Sequence, residues 1–326
     1  MAWKIVEIEA IDAPTLTASG PGGAGVHGPA VRMASLSYPR PSMLAGALAS
    51  LAFRLGIAGR APEPESGFED LEHLLRALGI ENLRPGLVRD EKGNLYVYLG
   101  ASFLPELDCL LNTIRKQAAD ESSNPLKAYR DLVRGEACPG VRAVKEAYTG
   151  IALERSSKTV RSGLIYERER LAYTPRASIA ALAKTSIGSH VRGLLALGGD
   201  KALARVVLRE AGPPSRLLMR GEGEEWLLVL AAPALLGLES AGEILLNPPV
   251  QDEQLPTRLA RSLLSKYSCA GDSEALLVPR NEYVLQVVLP GWSSLLNKGR
   301  GGYRRPHIEV PPGTILRVRA SRDCVE

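Results

Sequence analysis

Two hydrophobic periods alternate along this chain, and the order of that alternation constrains the fold more than any other feature. Trp3 to Ile11 sets Ile5, Val6, Ile8 and Ile11 among Lys and Glu, the pattern of a half-buried strand. A Gly/Pro-rich loop, Ser19 to Pro29, follows. Then Leu44, Leu48, Leu51 and Leu55 recur at helical spacing, with Ser42 as the N-cap and Gly56 as the stop. Ala45, Gly46 and Ala49 give this helix a small face suited to close packing on a sheet or a partner. Phe68, Leu71, Leu75 and Leu78 mark a second short helix closed by Gly79, and Leu95 to Leu99 a strand. Pro105 to Arg134 is helical, broken at Asn124-Pro125. Gly135 to Gly163 reads as a long basic connection without regular structure. A strand at Leu164 to Tyr173, helical turns at Ser178 to Lys184 and Ser189 to Leu195, a turn at Leu197 to Lys201 and a strand at Ala202 to Leu208 complete the first half. Gly212-Pro213-Pro214 is the strongest boundary signal. Beyond it come strands at Glu225 to Leu230, Tyr283 to Leu289 and Thr314 to Val318, with a helix at Pro256 to Tyr267. Strand, helix, strand, strand, helix, strand, repeated in shorter form, is the order of a split β-α-β unit. The expected fold is therefore α+β, with two ferredoxin-like domains, antiparallel sheets and long insertions. The first is expected to span 1–212, with a helical insertion over about 60–150, and the smaller second 213–326.

The chain has 326 residues, 45% hydrophobic and 23% charged, enough to bury one large core or two ordinary ones. A net charge of +4 permits a nucleic-acid partner without requiring one. No run of about 18 apolar residues occurs, so no membrane partner is expected, and Met1 to Val6 reads as a strand, not a signal core. The 4 cysteines, Cys109, Cys138, Cys269 and Cys324, form no C-x-x-C pair and lie near no histidine. They are expected to be reduced thiols of a cytoplasmic protein, with no metal site and no cofactor.

Gly20-x-Gly22-x-x-Gly25 matches a dinucleotide fingerprint by letter, but Pro29 and a further stretch separate it from the helix that would face a pyrophosphate, so it reads as a loop. No P-loop and no G-x-S-x-G elbow is present. Among 4 histidines, His73 reads as a surface residue, His190 as a turn cap and His307 as part of a basic loop. Only His27, in the glycine-rich loop, is placed as a loop acid–base or RNA contact would be. Three basic segments point to phosphate. One holds Arg155, Lys158 and Arg161. A second runs from Lys184 through Arg192, Gly198, Gly199 and Lys201 to Arg205. The third holds Lys298, Arg300, Arg304 and Arg305 around Tyr303. Small neighbours let backbone N–H groups approach phosphate, and Tyr303 offers a stacking surface. The alternating Glu167-Arg168-Glu169-Arg170 reads instead as cross-strand pairing.

Four motifs in order then resemble one family. Pro39-x-Pro41-Ser42-Met43-Leu44-Ala45-Gly46-Ala47-Leu48 is similar to its proline-then-"aGAl" helix start. Ser162 to Leu171 resembles its "G-x-L-Y-x-x-E-x-L" strand, with Glu169 one position early. Leu197-Gly198-Gly199-Asp200, followed by Ala204-Arg205-Val206, is similar to its "LGGE…A-x-V" turn and strand. Gly291-Trp292, then Pro311-Pro312-Gly313-Thr314-Ile315-Leu316, resembles its "GW…PPGSV" close. The family is the RAMP-superfamily subunit, the third of type III-B CRISPR (Cmr) complexes, that holds the 5′ tag of the guide RNA. The resemblance implies two ferredoxin-like, RRM-like RAMP domains and no catalytic site. It implies three partners: the guide-RNA (crRNA) 5′ tag, the large polymerase-like CRISPR subunit and the first backbone RAMP subunit. The chain departs from the family in having no Arg from Pro14 to Ala18 and no glycine-rich loop and tryptophan after the PPG strand. Two alternatives stay open. One is the equivalent subunit of a type III-A (Csm) complex. The other is a metal-independent RAMP endoribonuclease using His27, with Tyr38 or Lys158, on repeat RNA. A small-molecule enzyme on an unrelated fold has no positive feature behind it.

Overall fold

The computed structural model describes residues 1–16, 32–33, 35–56, 75–76, 79–118, 125–153, 160–188, 192–197, 202–214, 218, 224–236, 263–264, 270–279, 286–288, 292–293, 302–303 and 307–321. The strands are β1 (Ala2–Ala10), β2 (Arg32–Met33), β3 (Ile80–Asp90), β4 (Leu95–Val97), β5 (Phe103–Pro105), β6 (Gly140–Leu153), β7 (Val160–Thr174), β8 (Ala177–Thr185), β9 (Arg192–Leu197) and β10 (Ala202–Glu210). They continue with β11 (Glu225–Val229), β12 (Ala234–Leu236), β13 (Ala270–Leu277), β14 (Gln286–Val288), β15 (Trp292–Ser293), β16 (Gly302–Tyr303), β17 (His307–Val310) and β18 (Ile315–Ala320). The helices are α1 (Pro41–Arg54), α2 (Leu107–Ala118) and α3 (Pro125–Arg134).

The class is α+β as expected. A six-stranded antiparallel sheet, β4-β3-β8-β1-β10-β9, carries α1 on one face. Its four central strands run β3-β8-β1-β10, with α1 in the crossover from β1 to β3. Between β8 and β10 the described residues hold β9 and no helix. A second sheet, β2-β7-β6-β5, is built on the β6–β7 hairpin, and only its β2–β7 pairing is parallel. Residues after 224 form the sheets β11-β18-β13, β12-β17-β14 and β15-β16.

Alternation along β1 sends Val6 and Ile8 inward, where they meet Leu44, Leu48 and Leu51 of α1 and Leu195 and Leu208 in one buried cluster. Each such leucine contributes about 1.5–3 kcal/mol by leaving water. The opposite sheet face, with Leu87, Ala180 and Leu182, packs on Leu107 and Leu110 of α2, Leu132 of α3, and Leu277 and Ile315 of the C-terminal strands. Gly86 lies close against the backbone of the C-terminal half at Ala231. It has φ +95, and a Cβ there would lie 2.1 Å from the Ala231 carbonyl oxygen.

Five readings change. α1 starts at Pro41, and the Arg40 carbonyl accepts from Met43 and Leu44 N–H, so Ser42 sits inside the first turn and is not the N-cap. Ser178 to Lys184 is no helical turn but β8. Its alanines favour a helix locally, yet Ile179 to Ala183 is buried on both faces between β1 and β3, and packing overrides propensity. The helical spacing seen from Ser189 to Leu195 gives way to β9, whose inward Leu195 and Leu197 alternate with outward Arg192, Leu194 and Ala196. The supposed irregular connection from Gly135 contains β6, and β3 was hidden by Pro85-Gly86, where its register shifts. Finally, Cys109 and Cys138 are joined as a disulfide, with Cα atoms 5.8 Å apart, tying α2 to the segment entering β6. The expectation of reduced thiols is corrected for this pair: α2 and α3 fold back on each other and bring together residues 29 positions apart. In the native protein both thiols should resist alkylation until reduced. Reduction should cost about 3–4 kcal/mol on chain-entropy grounds, read as a lower denaturation midpoint. Alkylation of both thiols without reductant would show the pairing to be wrong.

Gly46 of α1 has no atom within 4 Å of its missing Cβ, so its small face does not pack on the sheet at that position, whereas Ala45 is fully buried. Helices predicted at Phe68 to Leu78 and Pro256 to Tyr267 lie almost wholly outside the described residues.

Candidate nucleic-acid interface

β6 and β7 pair antiparallel from Arg142↔Thr174 to Leu153↔Val160, so residues 154–159 join the far end of a long two-stranded arm. The arm is anchored at its base. There Leu171 is buried and its N–H donates to the Pro14 carbonyl at 2.9 Å, while the Tyr173 hydroxyl donates to the Ser37 carbonyl at 2.8 Å. Farther out, consecutive residues Glu146 to Thr149 are all exposed, so both faces of the arm meet solvent. Register puts Arg168 directly across from Tyr148, and Arg170 across from Glu146, on one face. The Arg170 guanidinium lies 4.1 Å from the centre of the Tyr148 ring, which remains half exposed. Glu169 points to the other face, where its carboxylate accepts from the Ser35 N–H at 3.0 Å. The alternating Glu167–Arg170 run is thus corrected. The strand's period of two sorts its charges by face instead of pairing them all across the hairpin, and leaves a tyrosine between two arginines.

A second basic surface lies on the face of the six-stranded sheet away from α1. Odd-numbered β1 residues point there, and each of two glutamates holds two arginines. The Glu7 carboxylate binds Arg89 from β3, and Arg209 from β10 at 3.0 Å. The Glu9 carboxylate binds Arg176, ahead of β8, and Arg205 from β10, whose Nε donates at 3.1 Å. The hydrogen bond from Arg205 holds the Glu9 carboxyl below its ordinary value, against the opposing pull of burial and with further help from the Arg205 and Arg176 charges. Arg192, across from Val207 on the edge strand, is exposed on the same face. Glu91 stands at the rim, 3.8 Å from Arg176. Five arginines against three carboxylates leave an excess of two positive charges beside the packed part of this face, with four of the guanidiniums, those of Arg89, Arg176, Arg205 and Arg209, held by carboxylates.

Arg192 and Arg205 are therefore brought together, as neighbours on β9 and β10. Lys184 is not with them. It sits at the opposite end of β8, where its ammonium donates to Glu81 at 2.8 Å. Arg161 belongs to β7 near the arm's far end. His27, Arg155, Lys158, Gly198, Gly199, Lys201, Lys298, Arg300, Arg304 and Arg305 lie outside the described residues. Sequence reasoning missed Arg89, Arg176 and Arg209, isolated cations 87 and 33 positions apart along the chain, and passed over Tyr148.

Tyr38 is fully buried and its hydroxyl donates to the Ala180 carbonyl at 2.7 Å. Burial raises its pKa well above the ordinary tyrosine value. Its ring stacks on Tyr98, with centres 5.4 Å apart. It is a core residue and offers no acid–base group to an RNA. No group of three or more metal-ligating side chains occurs among the described residues, and no described helix is long and apolar enough to cross a membrane.

No family model matches the chain, and no curated protein does either. Solved structures do. A chain of the cryo-EM structure of the Type III-B Cmr-beta bound to cognate target RNA and AMPPnP, state 1, aligns with TM-score 0.61 at 14% identity, over 96% of this chain and 86% of that one. A chain of Cmr-beta bound to cognate target RNA aligns with TM-score 0.57, again at 14% identity and over 96% and 86% of the two chains. The fold of this chain is thus one found in a Cmr effector complex.

Proposed function

We propose that the chain is a non-catalytic, RNA-binding scaffold subunit of a type III-B CRISPR (Cmr) complex, holding the 5′ tag of the guide RNA and bridging the large polymerase-like subunit to the first backbone subunit. The observation that carries this reading is the likeness of fold to chains of RNA-bound Cmr-beta over 96% of the length. The two basic surfaces support it. The arginine face suits a phosphodiester backbone, which it would position without reading sequence. The arm offers Tyr148, steadied by Arg170, to one unpaired base. Arg161 of β7 and, outside the described residues, Arg155, Lys158, Gly198, Gly199 and Lys201 are proposed as further RNA contacts. Buried Tyr38 speaks against the nuclease alternative that used it.

The test uses the purified full chain and labelled repeat-tag RNA without added metal. The RNA should bind with strong salt dependence and stay intact. Tyr148→Ala should weaken binding about tenfold, the loss of one stacked base. Specific cleavage that His27→Ala abolishes would replace the scaffold reading with the nuclease one. No measurable affinity for the RNA at low salt would end both.

A further inference from the structure

Away from both basic surfaces, the beginnings of β1 and β3 and the end of β8 border an open cleft of about 550 Å³. Its volume falls within the usual range of small-molecule sites. Among the described residues, three cationic side chains line it, Arg76, Arg84 and Lys184, with one carboxylate, Glu81. Lys184 donates to Glu81 at 2.8 Å, and one such bond uses one of its three ammonium protons. Both side chains are well exposed, at 36% and 52%. On the cleft wall the Arg84 guanidinium lies 5.3 Å over the Trp3 ring, and Asn82 contributes an amide. Excess cations with fork and ammonium donors suit a phosphate group. An indole with a guanidinium laid over it offers planar surface to a nucleobase, and an amide can both donate to and accept from a base edge.

We propose that this cleft binds a nucleoside phosphate, its phosphate held by Lys184 and Arg76 and its base set against the Trp3–Arg84 pair near Asn82. The inference is independent of the guide-RNA reading, because the cleft shares no residue with the arm or the arginine face. The ligand has two possible sources, a free mononucleotide and the terminal nucleotide of an RNA strand.

The full chain is titrated calorimetrically with adenosine monophosphate, adenosine, inorganic phosphate, and a short RNA with and without a terminal phosphate. Adenosine monophosphate should bind saturably at one site, and adenosine and phosphate each about tenfold or more weaker. Lys184→Ala should weaken it about tenfold, the loss of a charge-assisted hydrogen bond, and Arg84→Ala about tenfold, the loss of stacking surface for the base. Lys184→Arg should restore most of the affinity, which separates a binding role from a folding one, and Lys116→Ala on α2 should change nothing. RNA binding that needs the terminal phosphate and is displaced by adenosine monophosphate identifies a strand end as the source. Mononucleotide binding that RNA does not displace identifies a free ligand. No binding of adenosine monophosphate or end-phosphorylated RNA overturns the proposal. So does phosphate binding as tightly as the nucleotide, or both alanine variants binding like the parent.

Discussion

Replacing Arg192, Arg205 and Arg209 together by alanine should lower the salt dependence of tag-RNA binding by about two units of slope. Each arginine–phosphate contact releases counterions, worth about 0.7 of a unit for a single strand. Affinity at low ionic strength should fall by roughly two orders of magnitude, similarly for any RNA sequence, since backbone contacts position without reading bases. The variant should still fold. Glu7 keeps Arg89 and Glu9 keeps Arg176, so neither carboxylate loses its last partner, and the removed arginines are largely exposed. Arg205 and Arg209 are each more than half exposed, and each carboxylate keeps a second arginine, so the loss of stability should be small. Equilibrium binding at three or more salt concentrations reads both quantities. If slope and affinity equal those of the parent, the RNA does not lie on this face, and the arm with its far-end loop becomes the site to test.

The largest stability change should come from one added methyl group. Gly86→Ala should destabilise the protein by about 2–5 kcal/mol. Part is the cost of placing a Cβ at positive φ, and part is the clash of that Cβ with the Ala231 backbone, which has no side chain to swing away. Gly86 sits in β3 where register shifts, and its carbonyl also accepts from the Tyr98 N–H at 2.8 Å, so the backbone there is held from two sides. Gly46→Ala is the matched control. In the interior of α1 with open space around it, it should stabilise by about 0.5–1 kcal/mol through helix propensity alone. Denaturant midpoints followed by circular dichroism compare the two. A Gly86→Ala protein unfolding with the parent would mean that the C-terminal half does not approach the sheet at this point.

Three readings that rest on local periodicity agree with the structure. β1 shows a period of two, α1 its leucines one turn apart, and α2 and α3 part at Asn124-Pro125, because each pattern lies within a few residues and needs no distant partner to be visible. The motif order that resembled a Cmr subunit was legible too, since short ordered segments carry it. Other features depended on pairing between distant positions. The alanine-rich stretch from Ser178 is a strand because β1 and β3 flank it, a circumstance no window of sequence contains. β6 became a strand by pairing with β7, although Glu146 to Thr149 are exposed on both faces and so show no apolar period. Cys109 met Cys138 only when α2 and α3 folded back. The arginine face is the clearest case. Arg89, Arg176, Arg205 and Arg209 are unremarkable singly, and antiparallel register sets them around Glu7 and Glu9 on one side of one sheet. Sequence determined which segments had a local period and how strands and helices alternate. Tertiary structure decided which cations share a surface, because sheet pairing joins residues by register and not by their distance along the chain.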